Sequence, residues 1–186
     1  PYQREPKGNR KMASHSIEIM ILGALIERPM SAYEMDKTME DRNIRRWIRI
    51  SSPSVYRNVI RLCDEGYADG TVVKEGEMPE KTVYTITDKG RARFADLMDE
   101  AAALPARVDF GFLPVLANIG LVDEDTGRAL IDGLIETHRS TAEHVDGLIP
   151  SYERLEARAT MELCADTYRL VADHLARFEQ ELYGKG

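Results

Sequence analysis

"SSPSVYRNVIRLCDEGY", residues 51–67, carries the signals that decide the fold. Ser52 is the expected N-cap of a helix, and Pro53 suits the first helical position, where a missing N–H costs nothing. Val55, Val59 and Leu62 recur at helical spacing and define a buried face. Gly66 supplies the left-handed residue that ends such a helix. Ser54, Arg57, Asn58 and Arg61 are expected to point outward from it.

The charge around this helix runs against the rest of the chain. No acidic residue occurs between Arg42 and Cys63, and Arg45, Arg46 and Arg49 lead into the segment, although the whole protein has a formal net charge of −7. Residues 1–99 hold 17 Lys and Arg against 16 Asp and Glu, and residues 100–186 hold 8 against 16. Exposed charges more than about 8 Å apart are largely screened at physiological salt, so the acidic second half does not prevent the first from meeting a polyanion.

Upstream, a first helix is expected from Ser14 to Glu27, with Ile17, Ile21, Ala24 and Leu25 as its apolar stripe and Pro29 as its stop. Ser31 with Glu34 reads as a capping box opening a second helix, with Tyr33, Met35 and Met39 as its apolar contacts. Downstream the period changes. "ADGTVVK" (68–74) and "KTVYTIT" (81–87), separated by "EGEMPE", read as a two-stranded ribbon, and Thr87 as the cap of a helix from Asp88 to Ala103. Three helices followed by a β-ribbon is the order of a winged helix-turn-helix. The expected fold is therefore mainly α with a small β-ribbon. Residues 1–15 read as a flexible arm, or a remnant ahead of a start at Met12. Residues 16–103 form the winged helix unit and 104–186 a helical dimerisation unit.

The second half is read from its periodicity. "DFGFLPVLANIGL" (109–121) is apolar, and a long helix follows from Asp123 to Leu148 with Ile131, Leu134, His138, Thr141, Val145 and Leu148 on one face. A last helix runs from Tyr152 to Tyr183. On it Met161, Cys164, Tyr168, Val171, Leu175, Phe178 and Leu182 alternate at 3- and 4-residue steps, an a/d seam that must be buried. The preceding helix, the same helix of a second chain, or both would cover it, and the seam is the expected dimerisation surface.

The outward residues of the helix at 52–64 suit double-stranded DNA. Arginine can bridge guanine O6 and N7, and asparagine can do the same at adenine N6 and N7. Ser51, Ser52 and the helix N-terminus are placed to bind phosphate. Lys74 and Lys81 flank the ribbon tip, and Arg4, Lys7, Arg10 and Lys11 of the arm add further cations.

Taken together, "ILGALIERPMSAYEM" (21–35), Trp47, "SPSVYRNVIRLCDEGY" (52–67) and "KTVYTITDKGR" (81–91) resemble the PadR family of bacterial transcriptional regulators. Tyr33, Glu34, Trp47, Tyr56, Leu62, Gly66, Tyr84, Thr87 and Gly90 match its pattern. Ala32 stands where glycine is usual and Arg57 where proline is usual, which adds a charge able to read a different base. The resemblance spans residues 16–100. It adds Tyr33 and Tyr56 to the expected DNA contacts and implies a dimeric repressor that leaves DNA when a small molecule or stress signal is sensed. One recognition helix covers few bases, so a two-fold dimer with helices about 34 Å apart on a palindrome is expected. The alternatives are a MarR-type regulator, which dimerises through both ends of its chain, and a winged-helix module that binds protein.

Other chemistry finds no support. Cys63 and Cys164 fall at apolar helical positions and are expected as reduced thiols of a cytoplasmic protein. His138 lies on an apolar face as a core or seam residue. No metal-ligand spacing, phosphate loop or nucleophile elbow occurs, so no metal, cofactor or catalytic residue is assigned. No apolar run approaches the roughly 20 residues that cross a bilayer. Trp47 is open to two readings, core plug or effector platform. Phe110, Phe112 and Leu113 are likewise either interdomain core or, with Trp47, the lining of a pocket for an aromatic or drug-like effector.

Overall fold

The computed structural model describes residues 8–74, 79–103 and 110–184, with side chains from His15 onward. Arg4, Lys7, the side chains of Arg10 and Lys11, the ribbon tip at 75–78 and residues 104–109 lie outside the described residues. The chain divides into two units, Pro1–Arg107 and Val108–Gly186.

The N-terminal unit begins with α1 (Gly8–Glu27), which starts earlier than expected. Residues 8–15, read from sequence as part of an arm, are helical: no proline interrupts them, and Lys11, Met12 and Ala13 are good helix formers. A two-residue strand, β1 (Met30–Ser31), then leads into α2 (Ala32–Asp41). The capping box is present as read. The Ser31 hydroxyl accepts from the Glu34 N–H, while the Glu34 carboxylate accepts from the Ser31 N–H at 2.7 Å. Asn43 has a positive φ of 54° and turns the chain into a short 3-10 segment, Ile44–Arg46, ahead of α3 (Ser52–Asp64).

The sheet has three strands, not two. β2 (Ala68–Val73) and β3 (Lys81–Ile86) form the ribbon, and β1 adds to the far edge of β3, giving the order β1-β3-β2, all antiparallel. α4 (Asp88–Ala102) follows with Thr87 as its N-cap. The Thr87 hydroxyl accepts from the Gly90 N–H at 3.0 Å and donates to the Gly66 carbonyl at 2.9 Å, tying the start of α4 to the end of α3. Gly90 permits this closeness: a Cβ there would stand 2.0 Å from the Tyr67 carbonyl oxygen. Ile21, Leu22 and Leu25 of α1, Met35 and Met39 of α2, Val55, Val59 and Leu62 of α3, and Leu97 of α4 make the buried core. Tyr33, expected to help pack α2, is instead 66% exposed.

The C-terminal unit contains α5 (Leu113–Asn118), α6 (Glu124–Leu148) and α7 (Leu155–Tyr183). Asp123 caps α6 by accepting from the Thr126 N–H at 2.9 Å. Ile119, Ile131, Ile135, Val171 and Leu175 form one apolar cluster between α6 and α7, and Val145, Met161 and Ala165 a second. No described helix is long and apolar enough to cross a membrane.

Candidate nucleic-acid interface

Helix α3 is fixed at both ends by local chemistry. Ser51, not Ser52, is the N-cap residue, with an extended φ of −106°, and Pro53 lies in the first turn. At the other end Gly66 takes φ 76°. The Gly66 N–H donates to the Cys63 carbonyl at 2.9 Å and the Tyr67 N–H to the Leu62 carbonyl at 2.8 Å, the Schellman pairing. Val55, Val59 and Leu62 are buried as expected.

The outward face is rotated from the expected one. At about 100° per residue, Arg57 lies roughly 170° from the centre of the Val55–Val59–Leu62 stripe, whereas Asn58 lies only about 70° from it. The exposed residues of α3 are accordingly Pro53, Tyr56, Arg57, Ile60 and Asp64, and Ser54, Asn58 and Arg61 are half-buried. Arg57 makes no hydrogen bond or ion pair among the described residues.

Asn58 and Arg61 are committed within the chain. The Asn58 amide nitrogen donates to the Ser54 carbonyl at 2.8 Å and to the Ser54 hydroxyl at 3.3 Å. Its amide oxygen accepts from Arg61 at 3.3 Å. Arg61 Nη1 donates to both Glu65 oxygens, at 2.9 and 3.0 Å, and Nη2 to Glu18 of α1 at 2.7 Å. Partial burial works against the Arg61 charge, but the Glu65 hydrogen bonds and the field of Glu18 outweigh it and raise its pKa. The polar atoms of Asn58 and Arg61 are thus engaged within the chain. No local pattern marks Glu18, which comes from 43 residues away in the chain.

The remaining candidate contacts gather at the ends of α2, α3 and the ribbon. A cleft of about 660 Å³ is lined by Tyr33 and Glu34 of α2, Tyr56 of α3, and Glu80, Lys81 and Tyr84 at β3, among others. Burial pushes the Tyr84 phenol pKa up. Glu34 is held below the usual carboxylate range, first by the Ser31 N–H and then by the Ser31 hydroxyl. Val73 pairs with Lys81, so the register brings Lys74 and Lys81 to the same end of the ribbon. Ser51 is exposed, and the Ser52 hydroxyl accepts from Arg45 at 2.9 Å.

Trp47 is 39% exposed, so it does not act as the core plug; Ile44 and Ile50 on either side of it are buried instead. Trp47 belongs to the N-terminal unit, and Phe110, Phe112 and Leu113 belong to the C-terminal one. There Phe110 stacks on Phe112 at 5.5 Å, Phe112 meets the His138 ring edge-on at 5.1 Å, and His138 leans on Tyr168 at 6.0 Å. Leu113 is exposed.

The expected dimerisation seam needs correction. Met161, Val171 and Leu175 are buried within the chain, and Cys164, Tyr168 and Phe178 are half-buried beside them; only Leu182 of the set is exposed. A short connection holds α6 beside α7, so the nearest apolar stripe covers the seam before a second chain can. What α7 leaves uncovered is another row: Leu155, Leu163 (68% exposed) and Leu170 (65% exposed). Leu163 and Leu170 are seven residues apart and so share one azimuth of the helix.

Comparison with known proteins agrees with this architecture. Residues 21–96 match the model of the transcriptional regulator PadR-like family. The negative transcriptional regulator PadR of Bacillus subtilis (strain 168) is 24% identical over 143 residues, covering 77% of this chain and 76% of that protein. The crystal structure of Bacillus subtilis PadR in complex with operator DNA superposes with a TM-score of 0.77 at 17% identity, over 89% of this chain and 97% of that one. The same protein in complex with p-coumaric acid gives 0.75 at 16% identity, over 89% and 97%. A PadR-like transcriptional regulator from Bacillus cereus gives 0.69 at 20% identity, over 91% and 99%. The winged helix unit, through residues 21–96, thus matches the transcriptional regulator PadR-like family.

Proposed function

We propose that this regulator works in the cytoplasm as a homodimer on a palindromic operator, with α3 of each copy in a major groove, and that it represses until an effector is sensed. The observation that carries the reading is Arg57. It is exposed, almost opposite the buried stripe of a helix closed at its C-terminal end by Gly66, and no partner among the described residues claims it. Tyr33, Tyr56 and Lys81 around the adjoining cleft, with Lys74 and Ser51, supply the backbone contacts that set register. Solved complexes of Bacillus subtilis PadR with operator DNA and with p-coumaric acid support both halves of the proposal. The neighbouring Phe110, Phe112, His138 and Tyr168 rings of the C-terminal unit suit a small aromatic effector. The Leu155–Leu163–Leu170 row supports a second copy as the partner of α7.

A selection of genomic fragments by the purified protein tests this. The expected product is a palindrome whose half-sites lie about 10 base pairs apart. Absence of any enriched sequence, with binding insensitive to salt, would favour a protein-binding winged helix instead.

A further inference from the structure

We infer that Arg61 positions the recognition helix and does not read a base. The inference rests on the DNA reading above and deepens it.

Arg61 sits where three helices of the N-terminal unit converge. Its two Nη groups carry four N–H donors. Those groups meet Glu18 Oε1 on α1, both Glu65 oxygens at the end of α3, and the Asn58 amide oxygen. Glu18, in turn, is 5% exposed, and its second oxygen accepts from Arg93 Nη2 of α4 at 3.4 Å. One buried carboxylate on α1 thus faces an arginine from α3 on one side and an arginine from α4 on the other.

A base reader must offer two N–H groups to guanine. Arg61 can do so only by releasing the Glu18–Glu65 fork, which takes from a desolvated carboxylate its 2.7 Å partner. Arg57 faces no such requirement. The geometry therefore divides labour on α3: Arg61 sets the helix's rotation about its own axis through Glu18, and that rotation aims Arg57.

The division is testable with Arg61→Ala, Glu18→Gln and the pair, each selected on duplexes with randomised half-sites at a temperature where circular dichroism shows it folded. Each single change should weaken operator binding about tenfold, and the pair scarcely more than either, because both remove one tie. The consensus should be unchanged throughout. Loss of preference at one base pair by roughly 10- to 100-fold in Arg61→Ala alone would make Arg61 a reader and overturn the inference. So would multiplicative losses in the double variant, or tighter binding by Glu18→Gln. If the parent selects no sequence, the DNA reading itself fails. The same three variants compared by thermal unfolding then decide the tie: coupling between residues 18 and 61 upholds it, and additive effects sink it.

Discussion

In the N-terminal unit, α1, α3 and α4 converge on a buried carboxylate, Glu18, with arginines from two of them. In the C-terminal unit, α6 and α7 meet along Ile131, Ile135, Val171 and Leu175, and the charged ties between them, Arg169 to Asp146 and Arg128 to Glu179, lie at the more exposed rim of that seam. An apolar seam tolerates small slides of one helix along another, because dispersion has no preferred direction. An arginine fork does not, because its donors have fixed geometry. The N-terminal unit carries such a directional contact at a buried carboxylate. The C-terminal unit keeps its charged ties at the rim and buries only apolar side chains between α6 and α7.

That contrast can be attacked from either side. The largest effect belongs to the seam. Leu175, fully buried, should cost about 3 kcal/mol of stability on replacement by alanine, read by chemical denaturation. The loss should be the same at low and high salt, and a salt-dependent loss would show that the Leu175 packing is coupled to the rim ion pairs of Arg128 and Arg169. Next is the uncovered row. Leu163→Glu with Leu170→Glu should convert dimer to monomer in sedimentation, while changing the stability of the chain by no more than about 0.5 kcal/mol. A persistent dimer would place the joining surface elsewhere.

A smaller effect sharpens the other side. Ser31→Ala removes the hydroxyl half of the capping box of α2, leaving the Ser31 N–H on the Glu34 carboxylate, and should cost about 1 kcal/mol. Because the folded pKa of Glu34 is depressed, the stabilisation is fully present above the ordinary glutamate range, near about 4.3. It is lost as pH falls through the lower folded value. The acid-side slope of stability against pH should therefore be shallower in Ser31→Ala. An unchanged slope would mean that the Ser31 hydroxyl adds nothing to the hold that the backbone N–H has on Glu34.

How much of this was legible depended on how local each cause is. The stop of α3 at Gly66 and the boxes at Ser31 and Thr87 could be read because a helix end is decided by a few consecutive residues. Strand β1 was missed because two residues, Met30 and Ser31, show no period; their pairing to Tyr84 and Val83 is a long-range event. The outward face of α3 differs from the expected one because steps of three and four do not by themselves define a face; at about 100° per residue Asn58 lies beside the core. The Glu18–Arg61 tie left no trace in the sequence, since nothing in it says which helices meet. The heptad row on α7 showed that the seam is buried but not what covers it; the chain's own α6 does.

The most direct measurement is the base preference of Arg57→Ala against the parent, each selected on randomised duplexes at one salt concentration. The account predicts that the parent enriches a two-fold sequence and that the variant loses discrimination at one symmetric position by about 1–3 kcal/mol, leaving the others intact. An identical preference in both proteins would contradict it, and Arg57 would then be merely a solvent-facing charge on α3.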